Sequence, residues 1–307
     1  MPLRRLTFDN PWIAALDAAP RPASSWTVLV AGGLCCAAAV VLGRDLGARL
    51  AEAISAGSGP WGAIAGQAAF YACIFAPLWL AALVGGAMEG RQVWRGGPLP
   101  LLATVGGVAL GGLGFAAAVG LAAASGAVMP PAAPQAAVAG GVIAGAAIVA
   151  FQAAGEEVFF RGWIQPVLCA RLGPWVGLAL TAAMFTALHL VGGVRGPLAV
   201  LNLLLGGLLF GLLALRTGGL WAAFGAHWAW NWTESCGFGL DPNPGVGPTG
   251  SLVDLDLGGP GLWSGGGDGM NGSPAATLVL LALLTGLAFA PRRAGPAGVP
   301  QVGRERA

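Results

Sequence analysis

Long apolar runs, separated by short polar or Gly-Pro-rich stretches, dominate the pattern of hydrophobic and polar positions along this chain of 307 residues. A helix that crosses a bilayer needs about 20 mostly apolar residues, because each residue advances it by about 1.5 Å. By that criterion the sequence predicts eight membrane-spanning segments, at approximately 26–43, 62–88, 99–125, 136–158, 174–192, 197–216, 219–233 and 274–290. The segment 219–233 is short for a crossing, and the fourth segment is expected to continue as a helix to Leu172.

Composition agrees with a membrane protein. Hydrophobic residues make up 56% of the chain and charged residues 9%, whereas charged residues make up about 25% of ordinary soluble domains. The mean hydropathy is +0.74. We therefore predict an all-α, polytopic transmembrane helix bundle in the lipid bilayer. A net charge of +2 leaves no basic cluster that could follow a phosphate backbone, so nucleic acid is not an expected partner.

The distribution of arginine predicts the orientation of the spans, because basic residues accumulate in cytoplasmic loops. With both termini in the cytoplasm, twelve of the fifteen basic residues fall on cytoplasmic segments, and the exceptions are Arg44, Arg49 and Arg195. The chain then divides into a cytoplasmic tail at 1–25, transmembrane helices at 26–134, core helices at 135–233, a Gly-rich non-cytoplasmic loop at 234–273, a last transmembrane helix at 274–290 and a cytoplasmic tail at 291–307.

Ionisable side chains inside apolar segments are costly unless they are paired, so they are the first candidates for function. In the second half of the chain they occur, with one asparagine, in three short motifs on successive apolar segments. The motifs are Gly-Glu-Glu-Val-Phe-Phe-Arg-Gly with Glu156, Glu157 and Arg161, Phe-Thr-Ala-Leu-His-Leu with His189, and Gly-Ala-His-Trp-Ala-Trp-Asn with His227 and Asn231.

The spacing within each motif indicates a role. Glu157 and Arg161 are four residues apart and can form an ion pair on one helix face. His227 and Asn231 have the same spacing and offer two donors to a developing oxyanion. Glu156 lies about 100° round the helix from Glu157 and can face a separate cavity. Repulsion between the adjacent carboxylates favours proton uptake by one of them, as a general base requires.

Counting residues from the turns predicts that the motifs meet. If the chain turns at residues 173–174, Glu156 and His189 lie about 24–26 Å from that turn and face one another. His227 lies about 12 Å from a second turn at residues 217–219. The mismatch in depth is about 10 Å, which helix tilt or an additional turn outside the bilayer must absorb.

The ordered motifs Glu-Glu-x-x-x-Arg, Phe-x-x-x-His and His-x-x-x-Asn resemble the CPBP family, the CAAX proteases and bacteriocin-processing enzymes that include the eukaryotic Ras-converting endopeptidase. The similarity covers roughly Ala153 to Trp232, about a quarter of the chain. It implies an intramembrane endopeptidase that cleaves a CAAX-like, leader or signalling peptide at the membrane. A multi-pass location in the cell membrane, with a bacterial plasma membrane favoured, goes with that function.

The resemblance also implies roles for the site residues. Glu156 activates water, His189 holds that water, His227 with Asn231 forms the oxyanion site, and Glu157 with Arg161 orders the first motif. No cofactor is expected on this resemblance.

Two alternatives stay open. Within the enzyme class, Glu156, His189 and His227 could ligate Zn²⁺, with water in the fourth position. Outside that class, the chain could be a non-catalytic bacteriocin-immunity or membrane scaffold protein. A proton-coupled transporter is less favoured, because it predicts interrupted helices in both halves, whereas these polar residues are confined to one half.

Overall fold

Seven long apolar helices form the framework of the protein. The computed structural model describes residues 13, 16, 19, 23–57, 59–94, 99–131, 140–194 and 196–290. Within those ranges, seven helices are long and apolar enough to cross a membrane. They confirm the prediction of an all-α, multi-pass membrane protein. The predicted tail 291–307, most of the tail 1–25, and Arg195 lie outside the described residues.

The elements follow the predicted apolar segments. Lipid offers backbone groups no hydrogen bonds, so helices, which satisfy their own, are the expected structure. The helices are α1 Ser25–Ser55, α2 Gly59–Glu89, α3 Pro100–Ala124, α4 Gly141–Glu157, α5 Gln165–Leu172, α6 Pro174–Val191, α7 Pro197–Thr217, α8 Trp221–Trp232, α9 Gly261–Ser264 and α10 Pro274–Phe289. Two π-helical segments, Val158–Ile164 and Thr233–Phe238, a 3₁₀ segment Gly266–Gly272, and an antiparallel pair of strands, β1 Val128–Met129 and β2 Asp256–Leu257, complete the described elements.

The fourth predicted segment is part of one long helix. Its α4, π-helical and α5 parts run without a break over Gly141–Leu172, 32 residues in all, as the sequence predicts. The helix ends at Gly173, whose φ of 87° is a conformation that glycine adopts readily. Pro174 begins α6, where its missing N–H costs nothing. The predicted hairpin therefore forms at residues 173–174.

The predicted segment 219–233 forms a helix shorter than the seven spans. Helix α8 has 12 residues and continues through the π-helical segment Thr233–Phe238. It packs closely along α3: a Cβ atom added at Gly111 would lie 2.1 Å from the carbonyl oxygen of Ala226. Because α8 is not among the seven long helices, an eighth crossing and the cytoplasmic position of both termini remain predictions.

The Gly-rich loop 234–273 is hydrogen-bonded against the helix bundle. Its residues 252–255 run beside the π-helical segment after α8, with Leu252 N–H donating to the Cys236 carbonyl at 2.7 Å and Leu255 N–H to the Phe238 carbonyl at 3.1 Å. The Asn202 side chain of α7 donates to the carbonyls of Asn271 and Ser273 at 2.9 and 3.1 Å. These bonds hold the loop over the end of α8.

Candidate active site

A buried cluster of charged side chains joins the first and third motifs. Glu157 Oε1 accepts a hydrogen bond from Arg161 Nη1 at 2.9 Å and another from His227 Nδ1 at 2.8 Å. The Glu157 and Arg161 side chains are fully buried, and that of His227 is 3% exposed. The i,i+4 spacing predicts the Glu157–Arg161 pair. The bond to His227, which joins α4 to α8, was not foreseen.

Arg161 sits in a cage of aromatic rings. Its Nη2 donates to the Gly207 carbonyl of α7 at 2.9 Å. Its guanidinium carbon lies 5.8, 5.0 and 5.6 Å from the ring centroids of Phe160, Phe185 and Phe210. Cation–π attraction and the two hydrogen bonds together compensate the loss of hydration of a fully buried guanidinium. Arg161 therefore fixes the orientation of Glu157.

The π-helical segment that carries Arg161 is held from outside by the end of α2. Arg91 donates to the carbonyls of Gly162 and Trp163 at 2.7 and 3.1 Å. Glu89, 2% exposed, pairs with Arg91 and accepts from Trp163 Nε1 at 3.0 Å. Single π-helical turns inside α-helices frequently occur at functional sites. Here the π-helical turn changes the direction of the side chains that follow Glu157, and Glu89 with Arg91 stabilises this turn.

Glu156 lies beside His227 but makes no direct hydrogen bond with it. Glu156 is 1% exposed, and its Oε2 is 4.0 Å from His227 Nε2. That oxygen has no hydrogen-bond partner among the described residues. The oxygen is also closed off from solvent, so Glu156 holds a buried acceptor without a partner next to the His227 ring.

His189 joins the site through the Phe185 ring rather than through Glu156. Its Nδ1 is 2.9 Å from the Phe185 carbonyl oxygen, and its ring centroid is 4.7 Å from that of Phe185. The Phe185 ring is in turn 5.8 Å from the His227 ring. Since a carbonyl oxygen only accepts, His189 Nδ1 carries a proton. In neutral His189 the Nε2 atom is then an acceptor.

A cavity of about 260 Å³ brings the histidines together with Asn231. His189, His227 and Asn231 line it, whereas Glu156 does not and approaches it only through the contact of its Oε2 with His227 Nε2 at 4.0 Å. The opposite wall, which the sequence did not predict, comes from the loop and includes Asn243, Pro244, Asp268 and Asn271. This cavity is large enough for water and for a few side chains of an extended peptide.

Glu234 is an acidic residue of the site that the sequence motifs did not identify. It follows Asn231 by three residues and His227 by seven, and it lines the same cavity. It lies just beyond the predicted span 219–233. Burial raises the pKa of its carboxyl group to about 8, against the opposing effect of the hydrogen bond from Asn271. Its helical spacing from His227 and Asn231 is the signal that could have found it.

The alternative zinc ligands do not form a preorganised triad. Among the described residues, the ligand atoms that come within 4.8 Å of one another in a group of three belong to Asp241, Asp254 and Asp256, not to Glu156, His189 and His227. The three aspartates lie in the loop 234–273, where burial and the other two carboxylates raise the pKa of Asp241. The zinc alternative would therefore require movement of its ligands.

Fold and site together define a multi-pass membrane protein with acid, base and amide groups buried around an internal cavity. Residues 138–233 match the model of the family described as type II CAAX prenyl endopeptidase Rce1-like. All six site residues predicted from the sequence lie in the matched range. The match covers about a third of the chain and confirms the resemblance to the CAAX proteases that the motifs predicted. Neither a curated protein nor a solved structure matched the chain.

Proposed function

We propose that the protein is an intramembrane endopeptidase that hydrolyses a peptide bond of a membrane-associated peptide or protein with water activated by Glu156. The observation that carries this proposal is that Glu156 Oε2, which has no hydrogen-bond partner among the described residues, lies 4.0 Å from Nε2 of His227, a residue of the cavity wall. A candidate general base therefore lies beside a candidate oxyanion donor.

The proposed reaction uses His227 with protons on both ring nitrogens, a form that offsets the charge of the neighbouring carboxylates. Two carboxylates, Glu156 and Glu157, are buried with one guanidinium, Arg161, which leaves one negative charge uncompensated. An uncompensated buried charge is strongly unfavourable. A second proton on His227 makes the cluster neutral, with Nδ1–H bonded to Glu157 and Nε2–H available to the reacting oxygen.

The same balance holds through the reaction. Glu156 takes a proton from water as the water oxygen bonds to the carbonyl carbon, and the carbonyl oxygen becomes an oxyanion. The oxyanion accepts hydrogen bonds from His227 Nε2–H and the Asn231 amide. Glu156 then gives its proton to the amide nitrogen as the C–N bond breaks. Negative charge moves from Glu156 to the oxyanion and back, so the buried cluster stays neutral throughout.

His189 has a separate part in this scheme. With Nδ1–H bonded to the Phe185 carbonyl, its Nε2 accepts a hydrogen bond from water in the cavity. It thereby positions water without competing for the proton that Glu156 removes. Glu157 and Arg161 do not touch the substrate, and they act by orienting His227.

The substrate is a peptide or protein held at the membrane, with a CAAX-like, leader or signalling peptide as the candidates. We favour a bacterial plasma membrane as the location and a metal-free reaction. The metal-free reaction is supported by the positions of Glu156, His189 and His227, whose ligand atoms are not grouped as a zinc site.

Hydrolysis of membrane-anchored, quenched-fluorescent peptides by the purified protein in detergent tests the proposal. We expect wild-type cleavage to survive a chelator and to fall at least about 1,000-fold in Glu156→Gln. Glu52→Gln, the same change at an exposed position, is the control and retains activity. Chelator-sensitive cleavage would replace the glutamate mechanism with a zinc-dependent one. Folded wild-type protein that cleaves no peptide would favour a non-catalytic immunity or scaffold role.

A further inference from the structure

Glu234 is a buried carboxyl group of the cavity wall that the proposed reaction does not use. It is 6% exposed and lines the same cavity as His189 and His227. A carboxyl group held away from water loses hydration energy unless another group compensates it. A ligand in the cavity can supply that compensation.

The position of this carboxyl group is fixed by a chain of hydrogen bonds. Asn271 Nδ2 donates to Glu234 Oε1 at 3.1 Å. The Asn202 amide of α7 donates to the Asn271 carbonyl at 2.9 Å and to the Ser273 carbonyl at 3.1 Å. Asn202 Oδ1 in turn accepts from the Thr277 hydroxyl of α10 at 2.7 Å. Two spanning helices therefore hold Asn271, and Asn271 holds one oxygen of Glu234, so the group is preorganised for a ligand.

Helix geometry gives the distance from the reacting bond. Glu234 lies in the π-helical segment that continues α8 and follows His227 by seven residues, which corresponds to about 10 Å along the helix. An extended peptide advances by about 3.3 Å per residue. A substrate carbonyl at His227 therefore places a side chain about three residues away at Glu234.

Charge determines which side chain fits there. Apart from the two histidines and Tyr71, the ionisable groups among the described residues that line the cavity are the carboxyls of Glu234 and Asp268, and no described arginine lines it. We infer that Glu234 is a specificity-determining residue that selects substrates with a Lys or Arg side chain about three residues from the cleaved bond. This inference rests on the proposed function, since the register is counted from His227 as the oxyanion site.

Matched peptides test the inference. Membrane-anchored peptides carry Lys, norleucine or Glu at each position within about four residues of the scissile bond. Norleucine keeps the four-carbon chain of lysine but lacks its charged amino group. Cleavage by the wild type, Glu234→Gln and the exposed-site control Glu52→Gln is measured at a pH of about 9, above the pKa of Glu234. Anisotropy of labelled peptides measures binding separately from cleavage.

We expect the wild type and Glu52→Gln to favour Lys over norleucine about tenfold or more at one position, mainly in KM, and to disfavour Glu there. In Glu234→Gln the Lys-to-norleucine ratio falls to about one. Equal cleavage of the three peptides by the wild type, or a preference that survives in Glu234→Gln, would overturn the inference. If the wild type binds Lys peptides preferentially through Glu234 but cleaves none, the selectivity stands and the proposed protease function fails. If binding shows no preference, the selectivity fails whatever the cleavage result.

Discussion

The close approach of α3 and α8 makes Gly111 the most informative position at which to perturb the site without touching it. A Cβ atom there would lie 2.1 Å from the Ala226 carbonyl oxygen, whereas ordinary contact requires at least 3.4 Å. Ala226 immediately precedes His227. In Gly111→Ala the two helices must therefore separate by about 1 Å, because backbone atoms block the added methyl group.

That displacement affects a hydrogen bond that tolerates little change in the distance between its two atoms. His227 Nδ1 and Glu157 Oε1 are 2.8 Å apart, and a shift of about 1 Å takes them beyond hydrogen-bond distance. Misplacement by about 1 Å costs on the order of 100-fold in activity. Overpacking also destabilises by about 1–3 kcal/mol, partly offset by the higher helix propensity of Ala, worth about 1 kcal/mol.

Gly106→Ala supplies the control for this prediction. It makes the same change on the same helix, and nothing lies within 4 Å of the added Cβ atom, so only the propensity gain remains. Peptide cleavage and the melting temperature in detergent are measured for both variants. We expect Gly111→Ala to lose about 100-fold in kcat/KM, while Gly106→Ala keeps its activity and gains slightly in stability. If the two variants behave alike, the helix contact does not position His227.

Three further substitutions test other parts of the site. Glu89→Gln should cost about 1–3 kcal/mol of stability and lower the rate of cleavage, because the π-helical segment loses the charged group that supports it. Melting temperatures and cleavage kinetics, compared with those of Glu52→Gln, test this expectation. Arg161→Lys keeps the charge but loses the planar donor fork, so we expect about a tenfold fall in kcat, and unchanged kcat would refute the orienting role. For Glu234, whose folded-state pKa is raised from 4.5 to about 8, the folded protein keeps a proton that the unfolded chain loses. Stability should therefore decline as pH rises from about 4.5 to about 8. The melting temperature of Glu234→Gln should decline less over that pH range than that of the wild type. Parallel curves of melting temperature against pH for the two proteins would contradict the raised pKa of Glu234.

Patterns within single helices were sufficient to predict much of the fold. Apolar length predicted the spans, and the positive φ of Gly173 followed by Pro174 explains why the hairpin could be located from sequence. The Glu157–Arg161 pair was predictable because both residues belong to one helix and are four positions apart.

Relations between helices were harder to predict. Counting residues treats each helix as straight and upright, which produced the expected depth mismatch of about 10 Å. The structure instead places His227 in direct contact with Glu157 at 2.8 Å. The intervening π-helical segment Val158–Ile164 depends on contacts with Glu89 and Arg91, which are distant in sequence. The Gly-rich composition of the loop predicts irregular backbone, but it does not predict the hydrogen bonds between the loop and the helices.

The buried charges also explain why the site needs a second helix. One helix can pair Glu157 with Arg161, but Glu156 on the next position then remains uncompensated in an apolar environment. Helix α8 brings His227 to both carboxylates, at 2.8 Å from Glu157 and 4.0 Å from Glu156. Because one of these contacts is a hydrogen bond and the other is longer, Glu157 orients His227, while Glu156 Oε2 keeps no hydrogen-bond partner among the described residues. Direct hydrogen bonds to both carboxylates would occupy the base that hydrolysis requires, so the unequal distances themselves favour a catalytic over a purely structural cluster.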